Sequence, residues 1–247
     1  MSLGKGEPMN DNGIRDCVRG LVITNNPASP DHKMNIQAAE IVLEDGGPGS
    51  LRTGAVSVTV DITVNGPNGL DTGHESPNQW YYLWLIAGHS GTAAGLLSLS
   101  PDSPALPPGY SYKAFVGAAG NFENGGNDFS PIHQIGRAVA RNAVAVLNSG
   151  TATVPTAIDC SGALPKTAIK AIGDFTLNLG PGGGRGEGWL RSGPNQGTVG
   201  LAGYLNTPEY LTAPFSLPVI QPQTLYYNRS AASSAQSVTV SISGFEF

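Results

Sequence analysis

The sequence predicts an all-β protein, an antiparallel β-sandwich of jelly-roll-like organisation. Short β-branched or alternating segments recur between clusters of Gly, Pro, Asn and Ser, whereas helix-period patterns are almost absent. Glycine and proline are abundant, at 34 and 19 of 247 residues. Charged residues make up 13% of the chain, about half of the usual share. Such a chain has many turns and a weakly charged surface, and its hydrophobic content of 40% is high enough for folding.

About a dozen strands are predicted, each with turn residues at both ends. The clearest is residues 55–64, where Val56, Val58, Val60, Ile62 and Val64 alternate with polar residues. Side chains that alternate in this way lie on opposite faces of a half-buried strand. The other predicted strands are residues 18–24, 36–43, 79–87, 94–100, 111–118, 168–179, 198–204, 215–220, 224–228 and 236–242.

Residues 132–147 (IHQIGRAVARNAVAVL) carry a mixed signal. Their alanines suit a helix, whereas Val139, Val144 and Val146 suit a strand. We expect extended structure here.

Composition also predicts how the chain is divided. Residues 148–155 (NSGTATVP) have the small polar side chains of a linker or a long loop. We therefore expect either one large domain or two closely packed sandwich halves, residues 13–147 and 156–247. Residues 180–188 (GPGGGRGEG) are too rich in glycine for a strand and are expected to form an exposed loop. Residues 1–12 are expected to be a flexible segment that docks on a partner.

Charge and hydropathy exclude several classes of partner. A net charge of −5, with scattered Lys and Arg, offers no basic surface for nucleic acid. No apolar run approaches the roughly 20 residues that span a bilayer, so membrane insertion is not expected. The N-terminal MSLGKGEPMN lacks the apolar core of a signal peptide, which favours synthesis in the cytoplasm. In that compartment Cys17 and Cys160 are expected to be free thiols.

The sequence contains no catalytic or cofactor-binding motif. GGGRG lacks the Lys-Ser/Thr ending of a phosphate-binding loop, and the carboxylates form no sequence-local pair that comes with a proton partner. The best-placed metal ligands are Asp71 and His74 in LDTGHE. Because Gly69, Gly73 and Pro77 mark this stretch as a polar turn, no metal is predicted.

Trp80, Tyr81, Tyr82 and Trp84 fall within five residues of the predicted strand 79–87. Strand alternation places Trp80, Tyr82 and Trp84 on one side and Tyr81 on the other. One interpretation is a core strand covered on both faces, or on one face by a second subunit. The other is a platform that stacks against sugar rings. The four residues are therefore candidates for an interface or for glycan contact.

The order of several motifs resembles a module of tail-fibre-type and other minor structural proteins of tailed bacteriophages and prophages. The dense part is residues 69–117, with GLDTG, WYYLWLI, LLSLS and PALPPGYSYKAFVGA in succession. IHQIGR, QTLYYNRS and SVTVSISGFEF follow in the order that the module has them. The chain departs from the module at Lys113, Ala114 and Phe115, where members commonly carry arginine.

The resemblance implies a structural virion component: a short tail fibre, a head fibre or spike, or a decoration protein, with a contribution to host-surface attachment. It further implies a homotrimer located in the virion, which contacts other virion proteins through its N-terminal segment and glycan on the host surface. Two alternatives remain open. One is a carbohydrate-binding β-sandwich outside a virion, and the other, less favoured because no catalytic residues are found, is a glycan-degrading enzyme.

Overall fold

The chain folds as the predicted all-β antiparallel sandwich. The computed structural model describes residues 18–179, 185–204, 210–231 and 236–247, and these residues form strands and no helix. None of the described segments is therefore a helix that could cross a membrane. The predicted docking segment, residues 1–12, and Cys17 lie outside the described residues.

The strands are numbered in chain order. They are β1 Val18–Arg19, β2 Val22–Asn25, β3 Lys33–Ala38, β4 Glu40–Glu44, β5 Ser50–Thr53, β6 Val56–Asp61, β7 Gly69–Leu70, β8 Gln79–Ala87, β9 Ala93–Ser98 and β10 Tyr112–Glu123. They continue with β11 Asp128–Phe129, β12 Ile132–Ile135, β13 Ala138–Gly150, β14 Thr156–Asp159, β15 Lys170–Asn178, β16 Arg185–Gly193, β17 Gln196–Tyr204, β18 Tyr210–Pro218, β19 Thr224–Arg229 and β20 Ser237–Glu246.

These strands form three sheets. The aromatic sheet has the order β1-β4-β10-β8-β9-β7, with β5 beside β4 and β11 beside β10. The shared sheet has the order β18-β15-β20-β13-β12-β2-β3-β6, and the C-terminal sheet has the order β14-β19-β16-β17. Among these strand pairs only β7 and β9 run parallel.

The shared sheet serves as one wall of both sandwiches. At one end it faces the aromatic sheet, where a Cβ on Gly95 would collide with Val60. At the other end it faces the C-terminal sheet, where a Cβ on Gly188 would lie 3.0 Å from Leu177 and 3.1 Å from Val238. The predicted linker, residues 148–155, comprises the end of β13 and the loop that follows it. The two predicted halves are thus joined by a continuous hydrogen-bonded sheet.

Two predicted strands are each broken by a corner at which the chain changes sheet. Residues 18–24 divide at Gly20 into β1 and β2, and residues 36–43 divide at Ala39 into β3 and β4. β1 pairs with β4 in the aromatic sheet, while β2 pairs with β3 in the shared sheet. Gly20 has a φ of +64°, and a Cβ on it would lie 3.1 Å from the Cβ of Ala39. Glycine at position 20 therefore permits the left-handed backbone conformation and the close contact with Ala39 at which both chain segments change sheet.

Two further predictions fail locally. Val64 is 47% exposed instead of facing the core. The reason is that β6 ends at Asp61, whose carboxylate accepts hydrogen bonds from the backbone N–H and the hydroxyl of Thr63. The predicted loop 180–188 is wrong for its last four residues, because β16 begins at Arg185. The sheets approach closely at Gly188, where a Cβ would press on the side chains of Leu177 and Val238.

The expectation of extended structure for residues 132–147 is confirmed. They form the hairpin of β12 and β13, which turns at Gly136 with a φ of +57°. On β12, the buried side chain of Gln134 donates to the carbonyl oxygen of Val116 at 2.7 Å and to that of Gly136 at 2.9 Å. The first of these bonds connects the shared sheet to the aromatic sheet.

Strand β20 joins the two sandwiches because it lies between β15 and β13 and carries aromatic residues at its end. Phe245 is fully buried, and its ring makes edge contacts with Trp80 at 5.8 Å and Phe247 at 5.2 Å between centroids. The end of β20 therefore packs against the aromatic sheet.

We predict that Phe245→Ala lowers the free energy of unfolding by about 3–5 kcal/mol, because it leaves a cavity between the two sheets. Ser241→Ala, on the outer face of the same strand, should change it by less than about 0.5 kcal/mol. Urea unfolding followed by circular dichroism measures both. Equal stability of the two variants would contradict the assigned contact.

Candidate functional site

The predicted aromatic strand, β8, is covered on both faces by its own chain. Trp80, Tyr82 and Trp84 are 7%, 3% and 5% exposed. The indole Nε1 of Trp80 donates to the carbonyl oxygen of Ser161 at 2.7 Å, and the hydroxyl of Tyr82 accepts from the backbone N–H of Lys166 at 3.4 Å. The segment between β14 and β15 thus closes over this face.

Tyr81 is buried on the opposite face of β8. Its exposed fraction is 0%, and its ring meets that of Phe129 edge-on at 6.3 Å. The Tyr81 hydroxyl accepts from the backbone N–H of Ser76 at 2.6 Å, and burial raises the pKa of this phenol. Distant parts of the same chain cover these four aromatic residues, as in the interpretation of a core strand covered on both faces, and they leave little surface for a glycan or a second subunit.

The metal-ligating candidates Asp71 and His74 are not brought together with further ligands. One carboxylate oxygen of Asp71 accepts from the hydroxyl of Ser98 at 2.7 Å and from the backbone N–H of Ala105 at 3.0 Å. His74 is exposed. Across the described residues, no group of three or more His, Cys, Asp or Glu side chains could hold a metal ion. Asp71 instead fastens the loop after β9 to the turn before β8.

Cys160 is a free, fully buried thiol, as expected. Burial raises the pKa of this thiol to about 12, and the carboxylate of Asp159 acts in the same direction. A buried thiol with a raised pKa is a weak nucleophile and a weak metal ligand.

The surface with the features of a binding site lies elsewhere, on the outer face of the C-terminal sheet. Its register places Trp189 opposite Asn228 and Arg191 opposite Tyr226. On the other side, Arg191 is opposite Thr198. Because directly opposed residues share a face, these five side chains form one group, which we call the Trp189 patch.

The guanidinium of Arg191 is held in place by uncharged partners. Its Nε donates to Oδ1 of Asn228 at 2.9 Å, and its Nη1 donates to the hydroxyl of Thr198 at 3.2 Å. Its Cζ lies 5.9 Å from the ring centroid of Trp189, within the range of a cation–π interaction. Within the described part of the chain, no carboxylate forms an ion pair with Arg191. Its positive charge and its Nη2 donors are thus available to a ligand.

Small residues surround the two aromatic rings. Gly200 lies opposite Trp189, and Ala157 lies opposite Tyr226. Both small residues are exposed, while the two aromatic side chains are partly exposed. A Cβ on Gly200 would lie only 3.2 Å from Cδ1 of Trp189, so the indole extends over this glycine. Residues with small side chains therefore lie opposite both aromatic residues on this face.

Sequence reasoning missed Trp189 because the neighbouring glycines suggested a loop. A signal was nevertheless present in RGEGWLR, residues 185–191, where larger polar or aromatic residues alternate with glycine or leucine. In the structure Gly186, Gly188 and Leu190 face inward and are buried. Period-two alternation with glycine as the inward residue would have identified the strand and the outward direction of Trp189.

A shallow depression lies at the edge of the shared sheet. It has a volume of about 310 Å³ and is lined by residues 53–58 and 91–93. These residues include neither an ionisable nor an aromatic side chain. The depression offers fewer ways to recognise a ligand than the Trp189 patch does.

No protein-family model matches the chain, and no curated protein matches it in sequence. The buried aromatic strand and the exposed Trp189 patch are therefore the observations from which function is inferred.

We predict that Cys160 does not react with a disulfide reagent while the protein is folded. In a Cys17→Ser variant at about pH 8, the reagent should modify no thiol in buffer and one thiol after unfolding in guanidinium chloride. The released chromophore measures the reaction. Rapid modification of the folded variant would show that the segment covering β8 opens readily.

Proposed function

We propose that the chain is a non-catalytic structural component of a tailed-phage particle that contacts glycan on the host surface. The observation that carries this proposal is the Trp189 patch. It presents a partly exposed tryptophan beside a fixed guanidinium on a sheet face, whereas the aromatic residues of β8 are buried. Binding by aromatic stacking and hydrogen bonds requires no catalytic group.

The chemistry of the patch suits a sugar ring. The apolar face of a pyranose can lie against an indole or phenol ring, while its hydroxyl groups bond to neighbouring amides, hydroxyls and guanidinium. Thr198 and Tyr226 supply hydroxyl groups two residues from Trp189 on adjacent strands, while the buried Asn228 holds Arg191 in place. Side chains on paired strands are held more rigidly than those on loops, which reduces the entropy cost of binding.

The patch also lacks the pair of ionisable groups that glycan hydrolysis uses. Glycosidases place two carboxyl groups about 5–10 Å apart across the bond that is cleaved. Glu187 is the acidic residue on β16, and it forms an ion pair with Arg185 at 3.1 Å. This supports a binding role for the patch and favours it over a glycan-degrading enzyme.

The particle assignment is supported by the motif order in residues 69–117, which resembles a phage structural module. The structure adds a physical argument, since the motif residues that looked functional form a core covered on both faces. A rigid core with few charges suits a component that is repeated in a particle. The homotrimer, the docking role of residues 1–12 and the location in the virion belong to this same proposal.

The particle assignment predicts a trimer and incorporation into virions. Light scattering at micromolar concentration should give about three times the chain mass of 25.4 kDa. Mass spectrometry of purified particles should detect the chain. A monomer that is absent from particles yet binds glycan would favour a carbohydrate-binding module outside a virion.

We predict that Trp189→Ala weakens glycan binding by about 2 kcal/mol, or roughly 30-fold, because it removes the stacking surface. An array of bacterial surface glycans identifies a ligand, and titration calorimetry then measures its affinity. Tyr210→Ala is the matched control, since Tyr210 is a 69% exposed aromatic residue outside the patch. A wild-type chain that binds no glycan, or equal affinities of wild type and Trp189→Ala, would refute the glycan role.

A further inference from the structure

We propose that the Trp189 patch selects acidic saccharides, with the carboxylate of a uronate or a sialate bound by Arg191 and the sugar ring against Trp189. This inference rests on the proposed glycan-binding function and names the class of glycan. It concerns the charge of the ligand, which stacking on an aromatic ring does not determine.

The Arg191 guanidinium has hydrogen-bond donors that no described residue of the chain uses. It spends two N–H donors on Asn228 and Thr198, and both acceptors are neutral. A guanidinium has five donors, so three remain, including both on Nη2. Because the side chain is already fixed, a carboxylate can form paired hydrogen bonds to it with little loss of conformational entropy.

Other arginines of the chain have different surroundings. Arg52 is paired with Glu40, and Arg185 is paired with Glu187. Arg141 is largely buried over the Trp80 ring and donates to the carbonyl oxygen of Ala163, and burial lowers the pKa of its guanidinium. Arg191 differs from Arg52 and Arg185 because no carboxylate among the described residues pairs with it. It differs from Arg141 because it lies on the outer face of the C-terminal sheet and not over a buried tryptophan.

The acidic residues nearest to the patch along its strands are bound to other groups. Glu187 lies beyond Trp189 on β16 and pairs with Arg185. Asp159 lies beyond Tyr226, opposite Thr224, and accepts from the backbone N–H of Ser161 at 2.9 Å. Each carboxylate therefore has its own partner and does not neutralise Arg191.

The spacing of Trp189 and Arg191 matches the size of one sugar residue. Trp189 and Arg191 are two residues apart on one strand, so their Cα atoms are separated by about 7 Å. A single acidic monosaccharide can therefore contact the indole with its ring and the guanidinium with its carboxylate. A neutral sugar satisfies the first contact and leaves the second to water.

The phosphate backbone of a nucleic acid fits the patch less well. Nucleic-acid binding depends on several cations spread along a surface, whereas this patch has one guanidinium in a chain of net charge −5. Attraction to an anion is therefore local, and it requires the sugar ring to be seated on Trp189.

The experiment compares each acidic probe with its neutral counterpart. Oligogalacturonate and oligosialic acid are presented beside their carboxyl-reduced forms, which keep the ring and lose the charge. We expect the full-length chain to bind at least one acidic probe about 10-fold more tightly than its reduced counterpart, as one charge-assisted pair of hydrogen bonds allows. Titration calorimetry at fixed ionic strength measures the affinities.

Three variants assign this preference to Arg191. Arg191→Gln should reduce the 10-fold acid preference to less than about 2-fold, and Arg191→Lys should retain part of it because the charge remains without the paired donors. Lys113→Gln removes an equal charge from another cation–π pair, over Trp84 in the aromatic sheet, and should leave the preference unchanged. Thermal unfolding confirms that each variant is folded, and Arg191→Lys suffices if Arg191→Gln is not.

The possible failures are distinguishable. Equal binding of acidic and reduced probes would overturn the acidic preference while the glycan role stands. Absence of binding to every probe would overturn the acidic preference, and absence of binding to the glycan array as well would overturn both. Tighter binding of a single-stranded oligonucleotide than of any acidic sugar, or an undiminished preference in both Arg191 variants, would also refute the assignment.

Discussion

The rest of the structure depends on the need to cover strand β8 on both faces. Its side chains are apolar or aromatic on each side, and leaving either face in water would forfeit several kcal/mol of hydrophobic free energy. On one face the ring of Tyr81 meets that of Phe129. On the other face Trp80 contacts Phe245 near the end of the chain and the segment around Ser161. Phe247 packs beside them on Phe115 of the neighbouring strand β10. Because Phe245 belongs to β20, the strand that joins the two sandwiches also helps to cover β8.

That requirement also explains why a single sheet is shared between the sandwiches. β20 pairs with β13 on one side and β15 on the other, so its Val238, Val240 and Ile242 line the second sandwich while Phe245 reaches the first. Register shifts along the β13 and β20 pair show where this ladder is irregular. Local bulges of this kind increase twist and allow one sheet to face two partners.

The outward direction of Trp189 follows from packing on the inner side of the same strand. Gly188 allows β16 to approach the shared sheet closely, and period-two alternation then directs Glu187, Trp189 and Arg191 outward. The patch and the tight inner packing are two results of one pattern. Because Asn228 and Thr198 come from the strands on either side, the position of Arg191 depends on the assembled sheet and not on β16 alone.

Much of the secondary structure could be predicted from local periodicity. The aromatic strand was predicted with the bounds that β8 has, and β6, β15 and the extended character of residues 132–147 were also indicated by their patterns. The corners at Gly20 and Ala39 could not be predicted, because their residues are compatible with a continuous strand until two sheets compete for them. The strand β16 was missed because its glycines favour a strand only when a second sheet packs closely against them.

The sequence by itself determined an all-β sandwich and located its most aromatic strand. Only the tertiary structure decided which aromatic residues are core and which face solvent, because burial of Trp80 and Tyr82 depends on residues about eighty positions away in the chain. No local pattern contains that information. The physical reason is that strand alternation fixes the side on which a residue lies, whereas its exposure is set by whatever distant segment covers that side.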